Sequence, residues 1–348
     1  MTAFDEAAPA WMRRWHHVVP HPERPWVVSD GRCWALLDPA TGNAEIADPH
    51  HDRALPALAP ALARGALVAY RPGRRAVVRI DAAPGRHARF VKIVRAGAAP
   101  EVRERHRLAA AAPGYRSPTV LDADDVGRIE LSSVDGVRLH DALRLRFDVA
   151  TRRAAELATL LAAVRDTPLG AAPADAVLDD PARWIRVLER VEPAAADHAS
   201  RVARTLPEVS VAGTAAVHGD LHDKNLVVGA TGEPWGVIDL DGLARGAAEL
   251  DVANLAVHLV LRALLAGRPA SDAMHAGDRL VHACVEHGLQ PGHDPVDPER
   301  VRDLARHTAF RLACLYRCRP AGRRVTASMF RLASGTGWHL ATTPCATT

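Results

Sequence analysis

The sequence predicts an α+β protein of two lobes, in which a small lobe of antiparallel strands precedes a larger, mainly helical lobe. Three observations support this prediction. The chain has 348 residues, which is too many for one compact core. Short β-branched runs separated by turn residues occur between residues 66 and 135, as expected of strands. Beyond residue 136, apolar residues recur mostly at helical spacing.

Residues 1–65 form a predicted N-terminal extension of the small lobe. Residues 26–29 and 33–37 read as two strands around Asp30-Gly31, because such a pair accepts the positive φ of a tight hairpin. Apolar spacing predicts a short helix over residues 52–63. We interpret the extension as structural, and a contact with a substrate or partner is the alternative.

Residues 66–135 form the predicted small lobe. Turn-rich segments separate three strands, which are expected at residues 67–70, 76–80 and 88–94. A helix is expected over residues 101–112, after Pro100 and before Pro113-Gly114. Two more strands, at residues 115–121 and 128–131, complete the lobe.

Residues 136–348 form the predicted large lobe. Apolar residues every three or four positions predict helices over residues 147–164, 181–191, 198–206, 251–266, 271–288, 298–316 and 325–333. Residues 215–242 interrupt this pattern, because short apolar runs there alternate with glycine-rich turns and read as strands.

The stretch from residue 218 to residue 251 carries the candidate chemistry. Asp220 follows the first apolar run, Asn225 precedes the second, and Asp239 ends the third. These side chains therefore lie at strand ends and in loops, where a rigid scaffold can hold them together. Mg²⁺ binds one or two protein carboxylates and takes its remaining oxygens from water and phosphates. The pattern thus predicts a magnesium site.

Three segments of this stretch resemble a known family. Residues 218–225, HGDLHDKN, resemble the H-G-D-x-x-x-x-N catalytic loop of the aminoglycoside phosphotransferases and choline kinases, relatives of the protein kinases. Residues 237–241, VIDLD, are similar to the I-D-[FLW]-[DEG] metal segment of that group, and residues 249–253, ELDVA, to its D-[LI]-A element. The order and spacing of the segments also match, and the resemblance implies a protein-kinase-like fold.

The resemblance also implies an activity. A phosphoryl group would pass from ATP or GTP to a hydroxyl group of a small molecule, such as a sugar, a nucleoside, an antibiotic or another natural product. Asp220 would be the catalytic base. His218 and Lys224 are the other two predicted catalytic residues. His218 would mainly support the loop by hydrogen bonding, whereas Lys224 is either a contact to the transferring phosphate or a surface charge.

The metal site follows from the same resemblance. Asn225 and Asp239 would hold Mg²⁺ against the triphosphate, and Asp241 would reach a second Mg²⁺ or a metal-bound water. Asp251 would buttress the loop or cap the following helix. Asn254 and His258, four residues apart, read as an internal polar pair, with a contribution to the site as the alternative.

The nucleotide site is expected in the small lobe. Lys92 matches the third-strand lysine that holds the α- and β-phosphates in this group. Glu104 is the predicted partner of its ammonium, with Glu101 as second choice. Arg74 and Arg75 occupy the turn where protein kinases carry a glycine-rich loop. They are predicted to bind phosphate, and a solvated hairpin tip is the alternative.

The linker between the lobes is predicted at Leu131, Ser132 and Ser133. In the family that the chain resembles, backbone N–H and C=O groups of this linker meet the adenine edge. Such backbone contacts leave little side-chain signature, so these positions follow only from their order along the chain.

Lysine is rare in this chain. Of 44 lysines and arginines, two are lysines, Lys92 and Lys224. Where arginine has replaced lysine almost everywhere, a remaining lysine is a candidate for work that needs a compact charge on a flexible stem. This observation supports a functional role for both residues.

Composition excludes several other functions. A net charge of +3 with 48% hydrophobic residues describes a globular protein and does not favour nucleic acid as a partner. Residues 1–20 lack the apolar core of a signal peptide, and the apolar run 252–266 is too short to span a bilayer. Five cysteines without metal-binding spacing indicate reduced thiols. We expect a cytoplasmic monomer or homodimer.

The acceptor is less defined than the reaction. From Arg245 onwards the chain has 13 arginines and nine acidic residues, which favours a neutral or anionic acceptor over a polycationic aminoglycoside. Two other functions remain open, a catalytically inactive nucleotide-binding pseudokinase and a transfer of AMP by the same site. A protein-substrate kinase is disfavoured, because no A-P-E-like element or long activation segment follows Asp241.

Overall fold

Strands dominate the first part of the chain and helices the remainder in the computed structural model, which describes residues 10–81, 87–170, 175–288 and 295–336. The strands are β1 His17–Val19, β2 Trp26–Ser29, β3 Trp34–Leu37, β4 Ala44–Ile46, β5 Ala66–Arg71, β6 Arg75–Ile80, β7 Arg89–Val94, β8 Val120–Ala123, β9 Arg128–Ser132, β10 Val137–Arg138, β11 Ala215–Val217, β12 Leu226–Val228, β13 Gly236–Val237 and β14 Ala244–Gly246. The helices are α1 Leu58–Leu62, α2 Ala99–Ala110, α3 Leu139–Leu145, α4 Val149–Arg152, α5 Ala154–Arg165, α6 Pro181–Glu189, α7 Pro193–Ala203, α8 Glu249–Leu265, α9 Ala270–Gly288, α10 Pro298–Arg317 and α11 Thr326–Ala333.

A five-stranded antiparallel sheet forms the centre of the small lobe. Its strand order is β5-β6-β7-β9-β8, so consecutive strands are mostly neighbours joined by hairpins. Lys92 lies on the central strand β7, opposite Val77 and Ile129, and is only 5% exposed. The sheet therefore holds a lysine inside the protein, where a charged group needs partners.

The N-terminal extension packs against both lobes. Strands β1 to β4 form a separate antiparallel sheet, and Trp26 and Leu37 of that sheet lie in the apolar core that contains the large-lobe helices. Leu55 and Leu58 instead pack with residues of β6 and β7 in the small-lobe core. The guanidinium of Arg319 donates to the carbonyl oxygen of Val18, which ties β1 to the end of α10. The extension thus braces the two lobes.

Helix α8 lies at the centre of the large lobe. Its apolar residues occur all round the helix, and 14 of its 17 residues are buried, as expected of a helix surrounded by others. Helices α9 and α10 pack beside it. This buried helix is a rigid support for the loops that precede it.

Short strands position the catalytic segment against these helices. Strand β12 pairs with β10 and β13, and β11 pairs with β14. The loop 218–225 leaves β11 and enters β12, and the loop after β13 carries residues 239–243. Both loops therefore lie next to each other, as the hairpin pattern predicts.

Four predicted elements have clearly different bounds. The helix expected over 198–206 is α7, which begins at Pro193 and ends at Ala203. The helix expected over 52–63 is reduced to α1, because the Asp52 carboxylate instead accepts from the Tyr70 hydroxyl and the Gly73 N–H. The helix expected over 147–164 breaks at Arg153, whose guanidinium donates to the carbonyl oxygen of Gly229. The strand expected over 115–121 starts only at Val120, after a proline that has no N–H to donate.

The predicted α+β class, with an antiparallel small-lobe sheet and a helical large lobe, is confirmed. The division at residues 65 and 135 stays a prediction. Most of the turn expected at 81–87 and residues 1–9 of the extension lie outside the described residues.

Candidate active site

Hydrogen bonds to its backbone hold the loop 218–225 in place, and glycines in and beside the loop allow its conformation. The Asp251 carboxylate, on the first turn of α8, accepts from the backbone N–H groups of His218 at 2.6 Å and Gly219 at 3.0 Å. Gly219 has φ of +79°, a conformation that favours glycine. A side chain on Gly242 would meet the carbonyl oxygen of His218 at 2.7 Å. Asp251 therefore buttresses the loop, as predicted, and its complete burial raises its pKa.

Asp220 is the most exposed carboxylate of the loop. Its side chain is 56% exposed, its Oδ1 lies 3.6 Å from the Arg311 guanidinium, and its Oδ2 lies 3.8 Å from His222 Nε2. It opens onto a cleft of about 480 Å³ between β1, β5, α6, α8 and α10. An incoming hydroxyl group can therefore reach this carboxylate.

Asn225 and Asp239 lie side by side behind Asp220. The Asn225 amide donates to the carbonyl oxygen of Asp220 at 3.0 Å, and its backbone carbonyl accepts from the Ile238 N–H at 2.9 Å. Asp239 has φ of +61° and ψ of +53°, and no other non-glycine residue within the described ranges has a positive φ. Such strain persists where the surroundings enforce it, often at functional sites.

Lys92 is bound by two carboxylates. Its Nζ donates to Asp239 Oδ1 at 3.0 Å and to Asp241 Oδ1 at 2.5 Å. Arg75 donates to Asp241 Oδ2 at 2.9 Å and lies 3.9 Å from Asp239 Oδ1. Burial alone would raise the pKa of both carboxyl groups, but Lys92 and Arg75, together with His106 at Asp241, lower it below its usual value. Both aspartates are therefore ionised at neutral pH.

The predicted pair between Lys92 and Glu104 was wrong. Glu104 lies on the outer face of α2, where both of its carboxylate oxygens accept from Arg107, at 2.7 and 2.6 Å. The inner face of α2 presents Arg105 and His106 instead. Arg105 donates to the carbonyl oxygen of Asp241 at 2.5 Å, and His106 Nε2 lies 3.8 Å from its Oδ1.

Glu101, the second choice, pairs with Arg105 at 2.8 Å. The carboxylates that fix the Lys92 ammonium thus come from the segment after β13 and not from α2. The sequence could not show which face of the helix is buried, because acidic and basic residues alternate along it.

The two arginines of the β5–β6 turn have different surroundings. Arg75 belongs to the ion cluster around Asp241, whereas Arg74 is exposed. The turn itself is fastened to the N-terminal extension by the contact of Asp52 with the Gly73 N–H, 2.7 Å long. Phosphate binding by this turn stays a prediction.

The predicted linker residues follow the sheet. Leu131 and Ser132 still belong to β9, and the Ser132 hydroxyl accepts from the Thr119 N–H at 2.9 Å. Ser133 is the first residue beyond the strand. The backbone contacts with adenine stay a prediction for these positions.

The other two predicted catalytic residues differ in environment. His218 is buried, and its Nε2 lies 2.9 Å from the carbonyl oxygen of Ile238, which fits the predicted role in supporting the loop. Lys224 lines the cleft, where partial burial and Arg262 lower its pKa. Within the described residues its ammonium has no carboxylate within 4 Å.

Asp223 contacts the site and was given no role by the sequence, whereas Asn254 was named there as a possible contributor. Asp223 is completely buried, accepts from Arg262 at 2.7 Å and lies 2.6 Å from His140 Nδ1, so these two side chains anchor the loop. Asn254 donates to the carbonyl oxygen of Leu221 and accepts from Arg311, both at 2.9 Å. The alternative that Asn254 contributes to the site therefore fits the structure better than an internal pair with His258, whose ring nitrogens have no hydrogen-bond partner among the described residues.

This geometry defines a class of protein. An exposed carboxylate at a cleft, an adjoining amide and carboxylate, and a buried lysine between the lobes together resemble the site of a kinase. The family model described as "Phosphotransferase enzyme family" matches residues 67–278, more than half of the chain. The protein belongs to this family, and the predicted enzyme class, a phosphotransferase with an alcohol group as acceptor, is confirmed.

Solved structures share the fold at low sequence identity. The chain is similar to amicoumacin kinase hAmiN in complex with AMP-PNP, Ca²⁺ and Ami, with a TM-score of 0.53, 11% identity, and coverage of 80% of this chain and 91% of that chain. It is also similar to a thermostable mutant of aminoglycoside phosphotransferase APH(4)-Ia in its apo form, with a TM-score of 0.51, 15% identity, and coverage of 78% and 94%.

A third similar structure is aminoglycoside phosphotransferase APH(3'')-Id from Streptomyces rimosus, with a TM-score of 0.47, 19% identity, and coverage of 71% of this chain and 92% of that chain. A search of curated proteins gives no significant match. Across the described ranges, no helix has the length and apolar character needed to cross a membrane.

Proposed function

We propose that the protein is a Mg²⁺-dependent kinase that transfers the terminal phosphoryl group of ATP or GTP to a hydroxyl group of a small molecule, with Asp220 as the catalytic base. The observation that supports this most strongly is the exposed Asp220 carboxylate at the mouth of the cleft, with Asn225 and Asp239 directly behind it. The acceptor occupies the cleft on one side of Asp220, and the nucleotide lies against the small-lobe sheet on the other.

Asp220 orients the acceptor and takes its proton. As the acceptor oxygen bonds to phosphorus, the bond from phosphorus to the bridging oxygen of the nucleotide breaks, and the nucleoside diphosphate leaves. The hydroxyl proton passes to a carboxylate oxygen of Asp220 late in this step. The His218 and Asn225 hydrogen bonds keep the loop in place, so the carboxylate is already oriented when the acceptor binds.

Asn225 and Asp239 fit a hard divalent cation. An amide oxygen and a carboxylate are ligands of the kind that Mg²⁺ uses together with water and phosphate oxygens. The described residues hold no cluster of three or more His, Cys, Asp or Glu suited to a metal, which agrees with a site that the nucleotide must complete. When bound, Mg²⁺ would neutralise charge on the phosphates. Asp239 is 40% exposed and Asp241 17%, so Asp239 is the more accessible ligand, with Asp241 as a second.

Lys92 binds the donor phosphates once the cluster opens. Its ammonium is shared by Asp239 and Asp241, and phosphate oxygens would compete with these carboxylates for it. Arg74 and Arg75 extend the positive charge along the β5–β6 turn, and the backbone of Leu131, Ser132 and Ser133 meets the base. Lys224 lies on the acceptor side of Asp220.

One experiment separates this function from its two alternatives. The protein is incubated with Mg²⁺, ATP or GTP, and a panel of hydroxylated small molecules, and the mass of each acceptor is measured. We expect one acceptor class to gain a phosphoryl group. Gain of a nucleotidyl group would establish AMP transfer instead. Nucleotide binding without modification of any acceptor would favour the pseudokinase.

A further inference from the structure

The cleft beside Asp220 is strongly cationic. Two carboxylates line it, Asp179 and Asp220. Six basic side chains also line it, namely Arg71, Arg183, Lys224, Arg262, Arg311 and Arg319. The excess of positive charge is therefore a property of this cleft, and not only of the large lobe as a whole.

Three of the six cations already have acidic partners. Arg183 pairs with Asp179 at 3.0 Å, and Arg262 pairs with the buried Asp223 at 2.7 Å. Arg311 lies 3.6 Å from Asp220 and 3.8 Å from Asp179. Their charges are compensated inside the protein, so they do not require a ligand.

The other three cations are uncompensated. Arg71, Lys224 and Arg319 have no carboxylate within 4 Å among the residues that the structure describes. They come from three separate parts of the chain, the end of β5, the catalytic loop and the segment after α10. We refer to Arg71, Lys224 and Arg319 as the cationic corner. Placing three like charges around one cleft costs free energy unless an anion binds there.

His17 lines the same cleft as the three charges. Its pKa is lowered to about 4 by burial and then by Arg319, Arg71 and Lys224. A neutral imidazole at physiological pH can still donate one hydrogen bond. The N-terminal extension thereby brings a polar group to the corner.

A buried histidine of the cleft lacks a hydrogen-bond partner. His258 is 6% exposed, and neither ring nitrogen has a hydrogen-bond partner among the described residues. The ring lines the cleft next to His222, at a centroid distance of 4.9 Å. Buried polar groups are seldom left unsatisfied, and this imidazole therefore places polar groups without a protein partner in the wall of the cleft.

We infer that the acceptor alcohol carries an anionic group, such as a phosphate, a carboxylate or a sulfate ester, which binds at the cationic corner while a hydroxyl group of the same molecule reaches Asp220. This inference rests on the proposed kinase function and names the acceptor class of that site. Charge complementarity across the cleft selects the anion. A polycationic aminoglycoside is rejected by the same charges.

The corner belongs to the acceptor and not to the donor nucleotide. The residues proposed to hold the triphosphate, Lys92, Asn225 and Asp239, do not line this cleft, whereas Asp220 and residues of α8 and α10 do. Arg319 and His17 lie at the end of the cleft that α10 and β1 form. The anion therefore binds on the large-lobe side of Asp220.

Binding of matched probes tests the inference. The full chain is saturated with Mg²⁺ and AMP-PNP, so that the donor site is filled, and sugars are titrated by calorimetry. The anionic probes are glucose 6-phosphate and ribose 5-phosphate, and glucose, ribose and glucosamine are their neutral and cationic counterparts. We expect the anionic probes to bind at least 10-fold more tightly than their counterparts, and Arg71→Gln or Arg319→Gln to weaken them by roughly 10-fold to 100-fold.

Two matched variants serve as controls. Arg183→Gln removes an arginine of the same cleft whose charge Asp179 already compensates, and we expect less than a threefold change. Arg319→Lys keeps the charge and should restore most of the affinity. Equal affinity for charged and neutral probes, no binding of either phosphate probe at millimolar concentration, or equal effects of Arg183→Gln and Arg319→Gln would overturn the inference.

A further titration tests whether the cationic corner binds the acceptor or the donor nucleotide. If Arg71→Gln and Arg319→Gln weaken AMP-PNP in the absence of sugar as much as they weaken the sugar phosphates, the corner serves the donor and the inference is wrong. These titrations need no turnover. If the proposed kinase function is wrong, acceptors stay unmodified in the turnover experiment. If the inferred acceptor class is wrong, the binding titrations fail, so the two outcomes can be distinguished.

Discussion

At the scale of single residues, the Lys92 ammonium connects the two lobes. It originates on the central strand of the small lobe and donates to Asp239 and Asp241, which follow β13 of the large lobe. Because Lys92 is buried, losing it would leave two ionised carboxylates with Arg75 as their remaining nearby partner, apart from His106. The lysine proposed to bind the donor therefore also stabilises the site without donor.

Replacing Lys92 should weaken nucleotide binding, whereas replacing Glu104 should leave it nearly unchanged. We expect Lys92→Met to raise the KM for nucleotide by roughly 10-fold or more, because a charged hydrogen bond to phosphate is lost. Lys92→Arg should not restore it, since a planar fork does not replace a compact ammonium. Steady-state kinetics measures both.

Glu104→Ala is the matched control. Its carboxylate binds only Arg107 on an exposed helix face, so the KM for nucleotide should change less than twofold. A Glu104→Ala effect as large as that of Lys92→Met would contradict the pairing described here.

The residues that sequence reasoning identified lie in one short segment. Asp220, Asn225 and Asp239 were found because motif order and hairpin turns bring them together locally. Arg319 was not, because arginine is common in this chain and Arg319 meets Arg71 and Lys224 only when distant segments fold together. Which arginines of the cleft have a carboxylate partner is visible only in three dimensions.

At the scale of secondary structure, α8 positions the catalytic loop. Asp251 on its first turn accepts two backbone N–H groups of the loop, and Asn254 one turn later donates to Leu221. Because α8 is buried on nearly all sides, it cannot shift without disturbing the large-lobe core. The buried helix therefore holds the loop in a fixed position.

Asp251→Asn should impair catalysis more than the same substitution at Asp297. An asparagine side chain offers one acceptor oxygen and an NH₂ group that would face a backbone N–H, so at least one loop hydrogen bond is lost, at a cost of about 1–3 kcal/mol. We expect a lower kcat together with a lower melting temperature, from kinetics and thermal unfolding of the same samples.

Asp297→Asn provides the comparison. Asp297 caps α10 by accepting from the Glu299 N–H, and asparagine caps helices about as well as aspartate. Its kcat should equal that of the parent. Equal losses in both variants would mean that Asp251 has no special role in the loop.

The elements were predicted more reliably than their contacts. Long helices such as α8, α9 and α10 were predicted within a few residues, because their apolar periodicity is strong. The break at Arg153 and the orientation of α2 were not, since both depend on tertiary contacts with Gly229 and Asp241. Local periodicity carries no information about such partners.

At the scale of the whole molecule, the N-terminal extension forms one wall of the cleft beside Asp220. Its first sheet packs into the large-lobe core, and His17, Val19 and Pro20 line the cleft. The sequence supported a structural role and left a substrate contact as the alternative. The packing supports both roles, which the sequence could not show because they depend on contacts with residues as distant as Arg319.

Buried histidines should make the molecule sensitive to acid. The pKa of His258 is lowered well below 6.5, first by burial and then by His222, Arg311, Arg262 and Lys224, although Asp223 Oδ1 lies 3.9 Å away. Below pH 6.5 the unfolded chain therefore binds a proton that the folded chain excludes, and the free energy of unfolding falls as pH falls. We expect His258→Asn to reduce this loss by up to about 1.4 kcal/mol per pH unit.

Denaturant unfolding at several pH values between 7.5 and 5 measures this effect. The exposed His50, replaced by Asn, is the control and should leave the slope of stability against pH unchanged. Identical slopes for the parent and His258→Asn would show that His258 does not contribute to acid sensitivity.

The central claim is that Asp220 acts as the base of a phosphoryl transfer, and one variant tests it most directly. Release of ADP or GDP that depends on an acceptor is measured for the parent and for Asp220→Asn, with AMP-PNP affinity determined for both. We predict that kcat falls by roughly 10²-fold to 10⁴-fold in the variant, while AMP-PNP affinity changes little. A variant as active as the parent would contradict the assignment of the site.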